Sequence, residues 1–144
     1  MAPLQKRAWW GLGVGLAFTI AFVLVFILMG GIENFDTDQT FRIIINALWI
    51  GGLVAHLVIM DVTLRKAVVD ERDKMIRDRA PRIQWIAVIF TLAGWVIGLN
   101  EVYQETSLIP ATYLYVMFMS VLVASWLALS LGIIIGYWRA NRNG

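Results

Sequence analysis

Thr106–Trp138, TSLIPATYLYVMFMSVLVASWLALSLGIIIGYW, is a run of 33 residues without one formal charge. About 20 mostly apolar residues cross the hydrocarbon layer of a bilayer, so this run is long enough to span it. Hydrocarbon offers no partner to backbone N–H and C=O groups, and a helix satisfies them internally. Pro110 suits the first turn of such a helix, where its missing N–H costs nothing. That leaves Ala111–Trp138, long enough to tilt or protrude.

Three further uncharged stretches lie upstream. Between Arg7 and Glu33 stand 25 residues, and Ile43–Met60 and Ile83–Asn100 contain 18 each. The chain is 60% hydrophobic and 15% charged. A soluble domain carries roughly 25% charged residues, and no single soluble core hides this much apolar sequence. Gly30-Gly31 closes the first helix, the segment Glu33–Asp38 reads as a polar turn, and Pro81 fits the first turn of the third helix. The first segment reads as an anchor rather than a cleaved leader. Its apolar run exceeds the usual ~7–15 residues, and no Ala-x-Ala site follows.

Charge placement orients the chain. Of its 12 basic residues, all but Arg42 fall on one side of a four-pass arrangement, and Lys and Arg mark the cytoplasmic side. Trp9, Trp10, Trp85, Tyr137 and Trp138 cluster at that boundary, with Phe41, Tyr103 and Tyr113 at the other, as amphipathic rings do at headgroup depth. The expected fold is therefore all-α and polytopic: one domain, an antiparallel bundle of four transmembrane helices in the cell (inner) membrane, N-in and C-in. The predicted spans lie near 9–31, 42–62, 83–103 and 111–138, with a cytoplasmic loop near 63–82.

Small residues recur four apart in each predicted span: Gly11/Gly15, Gly51/Ala55, Gly94/Gly98 and Gly132/Gly136. Such pairs share a helix face and let backbones approach closely where no hydrophobic effect drives association. They are expected to be packing positions, within the bundle or in a homo-oligomer.

Chemistry-bearing residues are few. With no cysteine, disulfides, iron–sulfur clusters and thiolate zinc sites are out of reach. No metal-ligand cluster and no nucleophile–base spacing can be found, so the reading is non-enzymatic, with no catalytic residue, metal or cofactor. Direct nucleic-acid binding is not expected. The lone histidine, His56, falls inside the second span and shares a helical face with Trp49, Gly52, Met60 and Thr63. Intramembrane ionisable groups serve as proton carriers, haem ligands or substrate contacts, or as neutral imidazoles bonded to a neighbouring helix. His56, Asn46, Asn100 and Asp61 form the candidate intramembrane polar set. They motivate an alternative reading as a small oligomeric transporter or channel. A further alternative is an accessory subunit of a larger membrane complex.

The loop carries the remaining signal. It reads Asp70-Glu71-Arg72-Asp73-Lys74-Met75-Ile76-Arg77-Asp78-Arg79-Ala80-Pro81-Arg82. Asp70/Lys74 and Asp73/Arg77 are acid-then-base pairs at i,i+4, and Asp70 can cap a short helix ending near Pro81. Asp70, Glu71, Arg72, Asp73, Ile76, Arg77 and Arg79 are the candidate partner-binding residues. Asp70-Glu71-Arg72-Asp73, with Ile76 and Arg79-Ala80 leading into the third span, resembles a group of small bacterial and archaeal integral membrane proteins of unknown function. These share an Asp-Glu-Arg-Asp/Glu motif between two helical hairpins and are often encoded beside a small helix-turn-helix regulator. The resemblance implies a membrane partner that tethers or restrains a transcription factor, and supplies no catalytic residues.

Overall fold

A computed structural model describes residues 2–64, 70–105 and 108–142, and of 59–64 the backbone alone. The described residues are helical, without strands, in the order α1 (Pro3–Leu28), α2 (Gly31–Thr37), α3 (Gln39–Leu64), α4 (Glu71–Tyr103) and α5 (Ala111–Arg142). Four of these, all but α2, are long and apolar enough to cross a membrane.

The joints follow from local chemistry. Gly30 and Gly31 have φ of +90° and +72°, the left-handed region that glycine enters without strain, and there α1 stops. The segment expected as a polar turn instead forms the short helix α2. Its Phe35 is buried against Phe41 and Ile45, and that burial holds a helix where the polar sequence alone promised a turn. Asp38 caps α3: its Oδ1 accepts from Thr40 N at 2.8 Å and Phe41 N at 3.3 Å.

α4 departs most from expectation. Pro81 does not open a helix but sits inside one that begins ten residues earlier. A proline in mid-helix loses one backbone hydrogen bond. Tertiary packing offsets that loss, because Ile76 and Ala80, on the turn before Pro81, are buried against Ile133 and Tyr137 of α5. Most of the expected loop is thus a helical extension of the span; residues 65–69 lie outside the described part.

α5 is central. A third of its most apolar window (33%) is buried, against 6% for α4. α4 and α1 pack on α5, and α3 packs on α1. Two clusters mark the two ends. Ala8, Ile76, Ala80, Ile133 and Tyr137 join the starts of α1 and α4 to the end of α5. Phe35, Phe41 and Ile45 join α2 and α3 at the other end, with Phe26 of α1 and Tyr115 of α5 against them. The first end carries Arg7, Arg72, Arg79 and Arg139, and the second Glu33, Asp36 and Asp38, so a basic and an acidic end are distinct. Leu24, Leu57, Phe90 and Phe118 point outward. A soluble surface would hide such side chains, whereas lipid accepts them.

The glycines divide. A Cβ on Gly15 would lie 2.7 Å from Leu127 Cδ2 and one on Gly11 2.9 Å from Ser130 Oγ, so both face α5. A Cβ on Gly132 would lie 3.3 Å from the Ala80 carbonyl oxygen, and one on Gly136 2.7 Å from Ile76 Cγ2. Gly51, Gly94 and Gly98 have nothing within 4 Å of such a position. In α3 the close approach belongs to the next residue, Gly52, against Phe18, while Ala55 is half-buried. In α4 the inward positions are Trp95, which bonds to Ser120 of α5, and the buried Leu99, each one residue and ~100° past its glycine.

Candidate functional site

The charged motif lies at the basic end, where α4 leaves the apolar zone beside the last turns of α5. Asp70 takes the N-cap position with an extended backbone, and its Oδ1 accepts from Glu71 N at 2.7 Å. From there the helix sorts its residues by face. Asp73 and Ile76 are buried against α5. The Tyr137 hydroxyl donates to Asp73 Oδ1, and Arg72 Nη2 donates to the Asn141 side-chain oxygen. The Arg72 guanidinium also lies over the Tyr137 ring, 5.9 Å from its centroid.

These contacts correct the expected partner-binding set. Asp73 and Ile76 face inward and are closed to a partner, because the stripe Asp73, Ile76, Ala80 follows the 3,4 spacing that meets α5. Asp73 is also committed to Tyr137, so the anticipated helical pair with Arg77 gives way to one between Arg77 Nε and Asp78 Oδ1 at 3.9 Å. On the opposite face Glu71, Lys74, Asp78 and Arg82 stand exposed at helical spacing. Arg77 and Arg79 are exposed on either side of that row. The arrangement is a clamp on one face of α4 and an open charged stripe on the other.

The second feature lies deeper. His56 meets Trp126 of α5 with ring centroids 3.9 Å apart. A cavity of about 130 Å³ opens beside them, walled by Phe18, Trp49, Gln84 and Ser125. Gln84 Nε2 donates to Ser125 Oγ at 2.7 Å. His56 Nδ1 and Trp126 Nε1 are buried without a hydrogen-bond partner among the described residues. An orphaned buried polar atom costs about 1–3 kcal/mol, and both residues that carry one here line the same cavity.

The rest of the expected polar set does not converge there. Asn46 lies ten residues, or ~15 Å of helix, from His56 and accepts from the Tyr115 hydroxyl at 2.7 Å. Asn100 is exposed on α4, and the Asp61 side chain lies outside the described residues. Other polar groups knit helices together, as when Trp95 Nε1 donates to Ser120 Oγ at 2.6 Å. Sequence reading passed over Tyr137 as a partner, Asn141, Gln84 and Trp126. The Asp73, Ile76, Ala80 stripe was the available signal for the first of these, since a carboxylate on a buried stripe must find a donor.

Among the described residues, no group of three or more His, Asp or Glu side chains could hold a metal ion. No protein-family model, curated protein or solved structure matches this chain.

Proposed function

We propose that the chain is a non-enzymatic regulatory or scaffolding protein of the cell membrane that presents the exposed stripe of α4 to a cytoplasmic protein. In this reading the four spans form an antiparallel bundle, and the basic end is cytoplasmic by the bias of lysine and arginine. The observation that carries it is the two-faced start of α4. Asp73 and Ile76 fasten it to α5, while Glu71, Lys74, Asp78 and Arg82 stand exposed on the other side. A charged segment needed only as a connector gains nothing from being held in one orientation. A docking surface does, because binding then costs less ordering entropy. The motif's resemblance to membrane proteins encoded beside helix-turn-helix regulators favours a transcriptional regulator as the partner.

The test is recovery of soluble proteins with the tagged chain from its host's membranes in mild detergent. Reversing Glu71, Lys74 and Asp78 together leaves the clamp intact and is expected to cut partner recovery at least tenfold, as loss of several interfacial charges does. Unchanged recovery would reject the stripe as the docking face.

A second reading, a small oligomeric transporter, is favoured by the two orphaned polar atoms at the His56 cavity. It requires protein-dependent uptake of a small cation or neutral solute into liposomes that His56→Ala abolishes. Flux indifferent to His56 would remove its support.

A further inference from the structure

We infer that the groove between α4 and α5 at the basic end is a binding site for one anionic phospholipid. The groove is a cavity of about 400 Å³ whose lining includes Arg72, Arg79, Arg139, Ile83 and Ile135. This surface is distinct from the Glu71, Lys74, Asp78 row and does not depend on that row binding a partner.

Three observations define the occupant. First, the rim carries three guanidinium groups and no acidic side chain. Arg72 is already held by Asn141 and by the Tyr137 ring, so its ordering is complete before a ligand arrives. Neither Arg79 nor Arg139 has an acidic partner among the described residues, and both are exposed. Planar guanidinium groups match the oxygens of a phosphate group in bidentate fashion.

Second, the groove changes character along its length. Ile83 lies four residues past Arg79 on α4, and Ile135 four residues before Arg139 on α5, so each apolar position is ~6 Å deeper along its helix than its arginine. A free phosphate needs no such floor. A phospholipid does, because its acyl chains begin about that far below the phosphate.

Third, the groove lies at headgroup depth. Trp85 and Trp138, on other faces of α4 and α5, are exposed near this level, and interfacial tryptophans mark that boundary. Gly132 and Gly136 pack against Ala80 and Ile76 of α4 and close the base of the groove, which leaves Met75, Ile83 and Ile135 as the apolar surface open to an acyl chain. Basic pockets between membrane helices select anionic headgroups for these reasons.

The measurement is native mass spectrometry of the full-length protein in mild detergent, titrated separately with phosphatidylglycerol, phosphatidylcholine and inorganic phosphate. Phosphatidylglycerol is expected to bind at least tenfold more tightly than phosphatidylcholine, with inorganic phosphate failing to displace it. Arg79→Gln with Arg139→Gln should cost about tenfold or more in phosphatidylglycerol binding, at roughly one charge's worth per arginine. Lys74→Gln with Arg82→Gln removes the same charge from the opposite face and should leave binding within about twofold by the same reasoning. Equal loss in both variants would mean diffuse surface attraction and overturn the site. Equal binding of the two lipids would overturn the role of the arginines. Displacement by millimolar phosphate would assign the rim to a free anion. Loss of a dimer in the Arg79/Arg139 variant, with lipid binding unchanged, would assign the groove to a second copy.

Discussion

Gly132→Leu is expected to part α4 from α5 and leave no well-folded protein in mild detergent. A Cβ at this position would lie 3.3 Å from the Ala80 carbonyl oxygen and 3.4 Å from its Cα, both backbone atoms that cannot swing aside as a side chain can. The whole of α4 must move to admit a leucine, and its movement would disturb the buried cluster of Ala80, Ile133 and Tyr137. Overpacking usually costs 1–3 kcal/mol, and an obstruction by backbone belongs at about 3 kcal/mol or beyond. Gly94→Leu and Gly98→Leu place the same side chain where nothing lies within 4 Å and should change stability by less than about 0.5 kcal/mol. Resistance to unfolding by SDS in mixed micelles separates the cases. Equal damage from all three would mean that the outer face of α4 carries a contact beyond this chain.

The second large effect is expected at the Asp73–Tyr137 pair. Tyr137→Phe removes the hydroxyl that donates to a buried carboxylate and is expected to cost about 3 kcal/mol, the range for stranding a charged hydrogen-bonding group. Asp73→Ala strands the hydroxyl instead and should cost about 2 kcal/mol. The double variant should be less destabilised than the sum by more than 1 kcal/mol, because the second substitution removes a group already without its partner. Additive costs would show that the two residues act separately, and the clamp would then have no energetic standing.

Most of the secondary structure was legible in the sequence because a bilayer demands long charge-free helices, and charge-free length can be read directly. Ala111 begins α5 as Pro110 suggested, and Gly30-Gly31 closes α1. What escaped reading depended on which face met which neighbour. Pro81 promised a helix start, and burial of Ile76 and Ala80 carried the helix through it. Four-residue spacing nominated Gly94/Gly98 on the same terms as Gly132/Gly136. Spacing gives a shared face but not its direction, and Trp95 and Leu99 hold the α5-facing positions instead. The motif was visible as a unit, yet its division into an inward and an outward half needed the position of Tyr137. His56 was noticed as the lone histidine, while Trp126, its close neighbour 70 residues on, carried no signal of pairing.

The most direct test of a docked α4 is photo-crosslinking in living cells, with a photoreactive residue placed in turn at Lys74, Asp78 and Val96. Lys74 and Asp78 are exposed at the charged start of the helix, and Val96 is exposed within its apolar length. One discrete soluble-protein adduct is expected from positions 74 and 78 and none from 96. Adducts from 96 alone, or none from the charged positions, would contradict that docking.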